Sequence, residues 1–146
     1  MKKILIVITI LFTVAANAFA TEEKIKPEVL NAFKNKFSNA QDVTWIAGDN
    51  YYKAAFNYHG SRMFAYYTTT GKLMGVTRYI SSTELPLFLR NTLKEKYTNY
   101  WITDVVEESN KNGFNYYITI QNADNKIVLK SKYGSDWTIY SKQQKS

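Results

Sequence analysis

The 146-residue chain contains no cysteine, a single histidine, two prolines and six glycines. Without cysteine there is no disulfide, thiol nucleophile, iron–sulfur cluster or cysteine-based zinc site. One histidine leaves nothing for a multi-histidine metal centre. The glycines form neither a P-loop nor a G-x-G-x-x-G turn, so nucleotide binding has no support. No G-x-S-x-G elbow and no S-x-x-K motif appears either. What is abundant is aromatic: 12 Tyr, 8 Phe and 3 Trp. A chain that could not build a core would not carry so many, so disorder is excluded.

The first twenty residues read as an export signal. Lys2 and Lys3 form a positive start, Ile4 to Val14 an apolar stretch, and Ala18-Phe19-Ala20 a small-x-small cleavage site. The apolar stretch is too short to span about 30 Å of hydrocarbon, and no later segment approaches 18 apolar residues. The expected organisation is therefore a signal peptide over 1–20 and one domain over 21–146, with no membrane span once the signal is removed. Loss of Lys2 and Lys3 takes the formal net charge from +7 to +5. Such a domain buries about two-thirds of its unfolded surface. It must be stable without disulfides in a compartment that would permit them.

The mature segment reads as two copies of one unit. Ile25, Val29, Phe33 and Phe37 recur every four residues and mark one helix face. Pro27 and Glu28 suit its first turn, and Ser38-Asn39 ends it. Leu85, Leu89, Leu93 and Tyr97 repeat that spacing sixty residues later, followed by Thr98-Asn99. Thr83 is the expected N-cap, with Pro86 in the first turn. The matched faces, basic flanks and stops indicate an internal duplication, about 24–80 and 81–142.

After each helix the period shortens to two, the mark of strands. Val43 to Trp45, Tyr52 to Tyr58, residues 62–69 and Leu73 to Ile80 read as strands in the first half, with turns at 48–50, His59-Gly60 and Thr70-Gly71. In the second half Tyr100 to Glu107, Phe114 to Gln121, Ile127 to Tyr133 and Trp137 to Ser141 follow. Asn112-Gly113 is a type I′ hairpin signal, and Gln143 to Ser146 is expected to fray. Hairpin-linked strands after each helix imply an α+β fold: about eight antiparallel strands in one curved sheet, both helices on one face, the other face partly solvated.

The run Val29-x3-Phe33-x3-Phe37-Ser38-Asn39-Ala40-x-Asp42-Val43-x-Trp45, then Tyr52-x-Ala54-x-Phe56, Gly71-Lys72-Leu73, Ile80-x4-Leu85-Pro86 and Tyr97-x2-Tyr100-x-Ile102, resembles the exported PepSY-like, beta-lactamase-inhibitor-like proteins of Bacteroidetes. Ser38 stands where that family's proline is expected. The resemblance implies tandem helix–strand repeats forming one sheet, and export to the periplasm or cell surface. It carries over no catalytic residue, because the matching positions are core and turn.

Candidate chemistry is sparse. His59 precedes Gly60 in an expected hairpin tip and reads as a turn residue rather than a triad base. Glu107 and Glu108 are strand neighbours, so they point to opposite faces and read as a solvated strand end; Glu22-Glu23 is the other adjacent pair. Asp42, Asp49, Asp104, Asp124 and Asp136 are scattered without calcium-loop spacing. No cofactor or metal is expected.

If Tyr52, Phe56, Phe114, Tyr116 and Ile118 face the helices, then Tyr51, Lys53, Tyr117, Lys130 and Lys132 lie on the open sheet face. Tyrosine offers a large contact area at low entropy cost, so this face could bind an envelope protein or an acidic surface polymer. Cross-strand tyrosines with solubilising lysines also simply stabilise a sheet, and both readings stand here. Aromatics beside lysines occur in single-strand nucleic-acid binders too, but the export signal and the absence of a dense basic cluster argue against nucleic acid. The sequence thus leads to an exported, non-enzymatic binding or inhibitor-like module, with a structural or folding-accessory envelope protein as the alternative.

Overall fold

A computed structural model describes residues 19–20 and 22–146. Among these residues there are nine strands and two α-helices. The first unit holds β1 (Phe19–Ala20), α1 (Pro27–Lys36), β2 (Gln41–Ala47), β3 (Tyr51–Tyr58) and β4 (Ser61–Thr68). Strand β5 (Leu73–Tyr79) follows, then α2 (Leu87–Lys96), β6 (Trp101–Asn110), β7 (Gly113–Gln121), β8 (Asn125–Lys132) and β9 (Thr138–Gln144). Within each unit the strands neighbour one another in chain order and pair antiparallel. The chain is α+β, and it divides into two compact units between Val76 and Thr77, inside β5. The expected export signal lies outside the described residues except for Phe19 and Ala20, which pair with Ile46 and Trp45 of β2.

In the first unit, Val29 and Phe33 of α1 and the flanking Ile25 and Phe37 pack on Trp45 of β2, Ala54 and Phe56 of β3, and Ala65 and Tyr67 of β4. Phe33 is the hub. Its ring centroid lies 4.9 Å from Phe56 and 5.2 Å from Trp45, both edge-on, the arrangement favoured by the ring quadrupole. Gly71 brings the β4–β5 turn against α1. It has φ +85°, and a Cβ there would stand 2.9 Å from the Glu28 carbonyl oxygen.

In the second unit, Leu85, Leu89 and Leu93 pack on Val105 of β6, Ile118 and Ile120 of β7, Ile127 and Leu129 of β8, and Trp137. The Trp137 indole donates to the Leu89 carbonyl at 3.0 Å. That bond ties the β8–β9 connection to α2.

The four-residue series begin before the helices do. Lys26 is extended, with ψ 140°, ahead of Pro27 at the first helical position. Leu85 is extended, with ψ 146°, ahead of Pro86. A residue preceding proline is excluded from the α region by the proline ring, so Ile25 and Leu85 reach the core from outside α1 and α2. This also corrects the expected cap. Thr83 does not start α2. Instead Ser81 caps a separate 3₁₀ turn, Ser82–Glu84, through a capping box in which Glu84 accepts from the Ser81 N–H at 2.7 Å. Pro86 then serves as the α2 N-cap residue.

Three further expectations change. The β6–β7 loop is Lys111-Asn112, because Asn110 pairs directly with Gly113; the Asn110 side chain accepts from the Asn112 N–H at 2.8 Å and closes the turn. Paired positive φ occurs instead at His59 (+48°) and Gly60 (+78°) and at Tyr133 (+54°) and Gly134 (+77°). The tail does not fray at Gln143, because β9 pairs through Gln144 with Asn125, and the Lys145 N–H donates to the Asp124 carbonyl at 2.8 Å. Finally, Phe114 does not join the helix-side core and is exposed, since it sits one residue from the hairpin loop, beyond the reach of α2.

The hub position makes one consequence measurable. Phe33→Ala should lower the unfolding free energy by about 3–5 kcal/mol in urea titrations. Tyr67 gives a second. Its hydroxyl is buried without a hydrogen bond among the described residues, and burial pushes its pKa up to about 12. The unfolded phenol ionises near 10 and the folded one only near 12. The stabilisation is therefore complete below pH 10 and is lost as pH rises from about 10 to 12. Tyr67→Phe should change neutral-pH stability by less than about 1 kcal/mol and flatten the alkaline decline, as read by denaturation at stepped pH.

Candidate functional site

Strand alternation gives each unit a second face. In the first unit Ala54, Phe56, Ala65 and Tyr67 meet the helix side, so Tyr51, Lys53, Phe64 and Tyr66 lie on the other. Lys53 stands directly opposite Tyr66 across β3 and β4. Its Nζ lies 4.6 Å from the Phe64 ring centroid and 5.5 Å from that of Tyr66. The Tyr51 ring lies 6.5 Å from Tyr66. Burial pulls the Lys53 pKa down, and burial with the nearby Asp49 carboxylate pushes that of Tyr51 up. The rings supply the attraction that keeps a half-buried ammonium in place.

The second unit builds the same device with the strands exchanged. Here the tyrosine is on the earlier strand: Tyr117 of β7 faces Lys130 of β8. Lys130 Nζ lies 5.1 Å from the Tyr117 centroid and 5.9 Å from that of Tyr140 on β9. Tyr117 and Tyr140 meet edge-on at 5.8 Å. Burial lowers the Lys130 pKa, opposed by the attraction of Glu108.

Tyr117 departs from expectation. It lies on the face away from α2, but it is only 1% exposed, because the Lys130 stem and the Tyr140 ring lie over it. Burial, then the neighbouring Glu108, pushes its phenol well above the ordinary range. The solvated face expected on this side is thus closed in part, with Val106, Thr119 and Val128 also buried there. Lys132 stays exposed, its Nζ 5.3 Å from the Tyr133 ring centroid. Of the five expected residues, the structure joins Tyr117 to Lys130 directly and Tyr51 to Lys53 through Tyr66. Lys132 stands with Tyr133.

Glu107 and Glu108 do point to opposite faces, but neither is a solvated strand end. Glu107 accepts from Arg78 Nε at 2.8 Å, and Arg78 also pairs with Glu84 of the capping box at 3.4 Å. Glu108 is 2% exposed. It accepts from the Asn110 amide at 3.1 Å and from the Asn115 amide at 3.4 Å. A buried carboxylate needs such donors in place of water.

Phe64, Tyr66 and Tyr140 escaped the sequence reading, and Glu108 reads there as solvated although it is buried. Alternation from Tyr67 would have placed Phe64 and Tyr66 on the face that carries Lys53. Tyr140 is hidden by the irregularity between Val128 and Leu129, which shifts the β8–β9 register. His59 is an exposed turn residue whose ring meets Tyr58 edge-on at 4.2 Å.

The chain matches no protein-family model and no curated protein sequence. Its fold is that of solved Bacteroides proteins. A BLIP-like protein from Bacteroides fragilis has a TM-score of 0.68 at 19% identity, covering 82% of this chain and 85% of its own. A DUF2874 family protein from Bacteroides ovatus has a TM-score of 0.71 at 20% identity, covering 81% and 86%. A protein from Bacteroides eggerthii, provisionally described as periplasmic, has a TM-score of 0.72 at 14% identity, covering 82% and 88%. The BLIP-like part of the resemblance drawn from the sequence thus has a structural counterpart; these names say nothing of PepSY. None of them is the name of an enzyme. Among the described residues no helix is long and apolar enough to cross a membrane.

The buried carboxylate gives this site its own test. Glu108→Ala leaves the Asn110 and Asn115 amides without their acceptor and should cost about 1–3 kcal/mol, read as a lower urea midpoint with an unchanged slope.

Proposed function

We propose that the chain is an exported, non-enzymatic binding module that holds an envelope protein or an acidic surface polymer on the lysine–tyrosine face of its units. The carrying observation is the recurrence of one device: Lys53 facing Tyr66, and Tyr117 facing Lys130. Each places a partly desolvated ammonium on aromatic rings, and neither amine is in an ion pair among the described residues. A cation held this way is ready to meet an acidic group on a partner, with tyrosine rings supplying contact area. Export is supported by the signal-like start of the sequence and by the periplasmic description of one structural neighbour. The non-enzymatic reading is supported by the lack of a recognisable catalytic motif in the sequence.

The same reading takes the two units as a duplication. Helices α1 and α2 begin sixty residues apart and have equal length, and each is followed by a hairpin whose central pairs match. A structural or folding-accessory role is favoured by a different observation. Tyr117 and Glu108 are buried rather than presented, as side chains that stabilise a sheet would be.

Pull-down from periplasmic and membrane extracts separates the two. Lys53→Gln with Lys130→Gln and Tyr140→Ala should lower capture of each specific partner by about tenfold or more, equivalent to about 1.4 kcal/mol. Lys34→Gln with Lys36→Gln on α1 should leave it unchanged. Equal capture by both variants would assign the tyrosines to the structural role.

A further inference from the structure

We infer that the second unit holds a separate pocket for a small aromatic carboxylate, where the end of α2 meets β6 and β7. The pocket has a volume of about 300 Å³ and is walled by Leu93, Tyr97, Tyr100, Ile102 and Ile120, with Lys94 at its rim. That volume is at the lower end of small-ligand sites, which run from about 300 to 1,000 Å³. It suits one ring with a short tail.

The first unit shows what fills the same place. Trp45 opposes Ala54, and Val105, sixty residues on, opposes Ile118. Two steps further along β3 and β7, Phe56 therefore matches Ile120, and two more match Tyr58 to Asn122. Phe33 and Phe37 match Leu93 and Tyr97. In the first unit these positions form a closed ring stack, with Phe37 4.7 Å from Phe56 and 5.4 Å from Tyr58. In the second, Leu93 and Ile120 replace two rings. Asn122 replaces a third, and its side chain is turned to the N–H groups of Asp124 and Asn125. Tyr100 stands where the first unit has Ala40 and returns part of that volume, and the pocket is the space that remains beside its ring.

The walls fit that guest. Tyr97 and Tyr100 meet edge-on at 5.9 Å and offer ring surface. Ile102 is 44% exposed at the position matched in the first unit by Asp42, which is engaged by Asn57 at 2.8 Å. An apolar side chain thus stands at the mouth where the sister unit has a satisfied carboxylate. Lys94 is exposed and makes no ion pair among the described residues, and no carboxylate lines the pocket. The ligand class that meets all of this is a planar ring carrying an anionic tail. The site is distinct from the lysine–tyrosine face and stands independently of it.

The probe is 3-(4-hydroxyphenyl)propanoate, titrated into the intact chain and followed through the methyl resonances of Leu93, Ile102 and Ile120, with the corresponding amide as its neutral partner. The expected result is saturable shifts at those methyls, with an apparent Kd of about 1 mM or tighter, as befits a ligand of a dozen heavy atoms. Ile120→Phe, which restores the ring of the first unit, should weaken binding at least about tenfold. Lys94→Gln should weaken the acid about threefold, the range of an exposed charge contact, and leave the amide unchanged. Should Ile120→Phe not fold, proton contacts between the probe ring and the Ile102 and Ile120 methyls in the native chain carry the same test. No saturation at about 10 mM probe, or shifts spread away from these methyls, would overturn the pocket. Equal binding of acid and amide to the native chain would overturn its anionic preference.

Discussion

Everything in this molecule depends on burying one face of a ten-residue helix against strands whose side chains alternate. A helix of that length is below the about 12–15 residues at which isolated helices become even marginal in water, and there is no cysteine to cross-link the chain. Neither α1 nor α2 can persist unless its apolar stripe is covered. In the first unit the cover is aromatic, with Phe33 at the meeting point of Phe37, Phe56, Trp45 and Tyr67. In the second it is mainly aliphatic, with one tryptophan reaching across to bond the α2 backbone. Both stripes are buried, and a pocket remains at the end of α2 beside the aliphatic one.

The same constraint sets the chemistry of the opposite face. Once alternate residues are committed to the helix, their neighbours must be satisfied without it. Lysine and tyrosine do this jointly. The ammonium finds ring faces, and the ring gains a cover from the lysine stem. Glu108 is handled differently, by two asparagine amides. The site that results is more closed than a row of exposed side chains would be. Its outward-reaching groups are the lysine ends and Tyr140, rather than Tyr117.

Local order was legible where the signal was local. The period of four in Val29-Phe33-Phe37 and Leu89-Leu93-Tyr97 located both helices, and alternation located the strands that follow. Errors gathered where two local signals competed. Thr83 looked like a cap, but the proline two residues beyond Glu84 forces an extended residue before α2 can start. Asn112-Gly113 looked like a type I′ pair, yet the Asn110 side chain closes the loop one residue earlier. The tail looked free because its hydrogen-bond partners, Asn125 and Asp124, lie some twenty residues away in the chain.

The sequence by itself determined which residues could share a face, because that follows from periods of 3.6 and 2 along a single element. It therefore paired Tyr51 with Lys53, and put Tyr117 and Lys130 on faces turned from the helices. It also separated Glu107 from Glu108. Only the tertiary structure decided which of those residues remain in contact with water. Burial depends on strand register and on what crosses over a side chain from another strand, as Tyr140 does over Tyr117 after a register shift. It depends equally on side-chain volume at matched positions. The exchange of Phe56 for Ile120 and of Tyr58 for Asn122 is invisible as a cavity until both strands and the helix are set against one another.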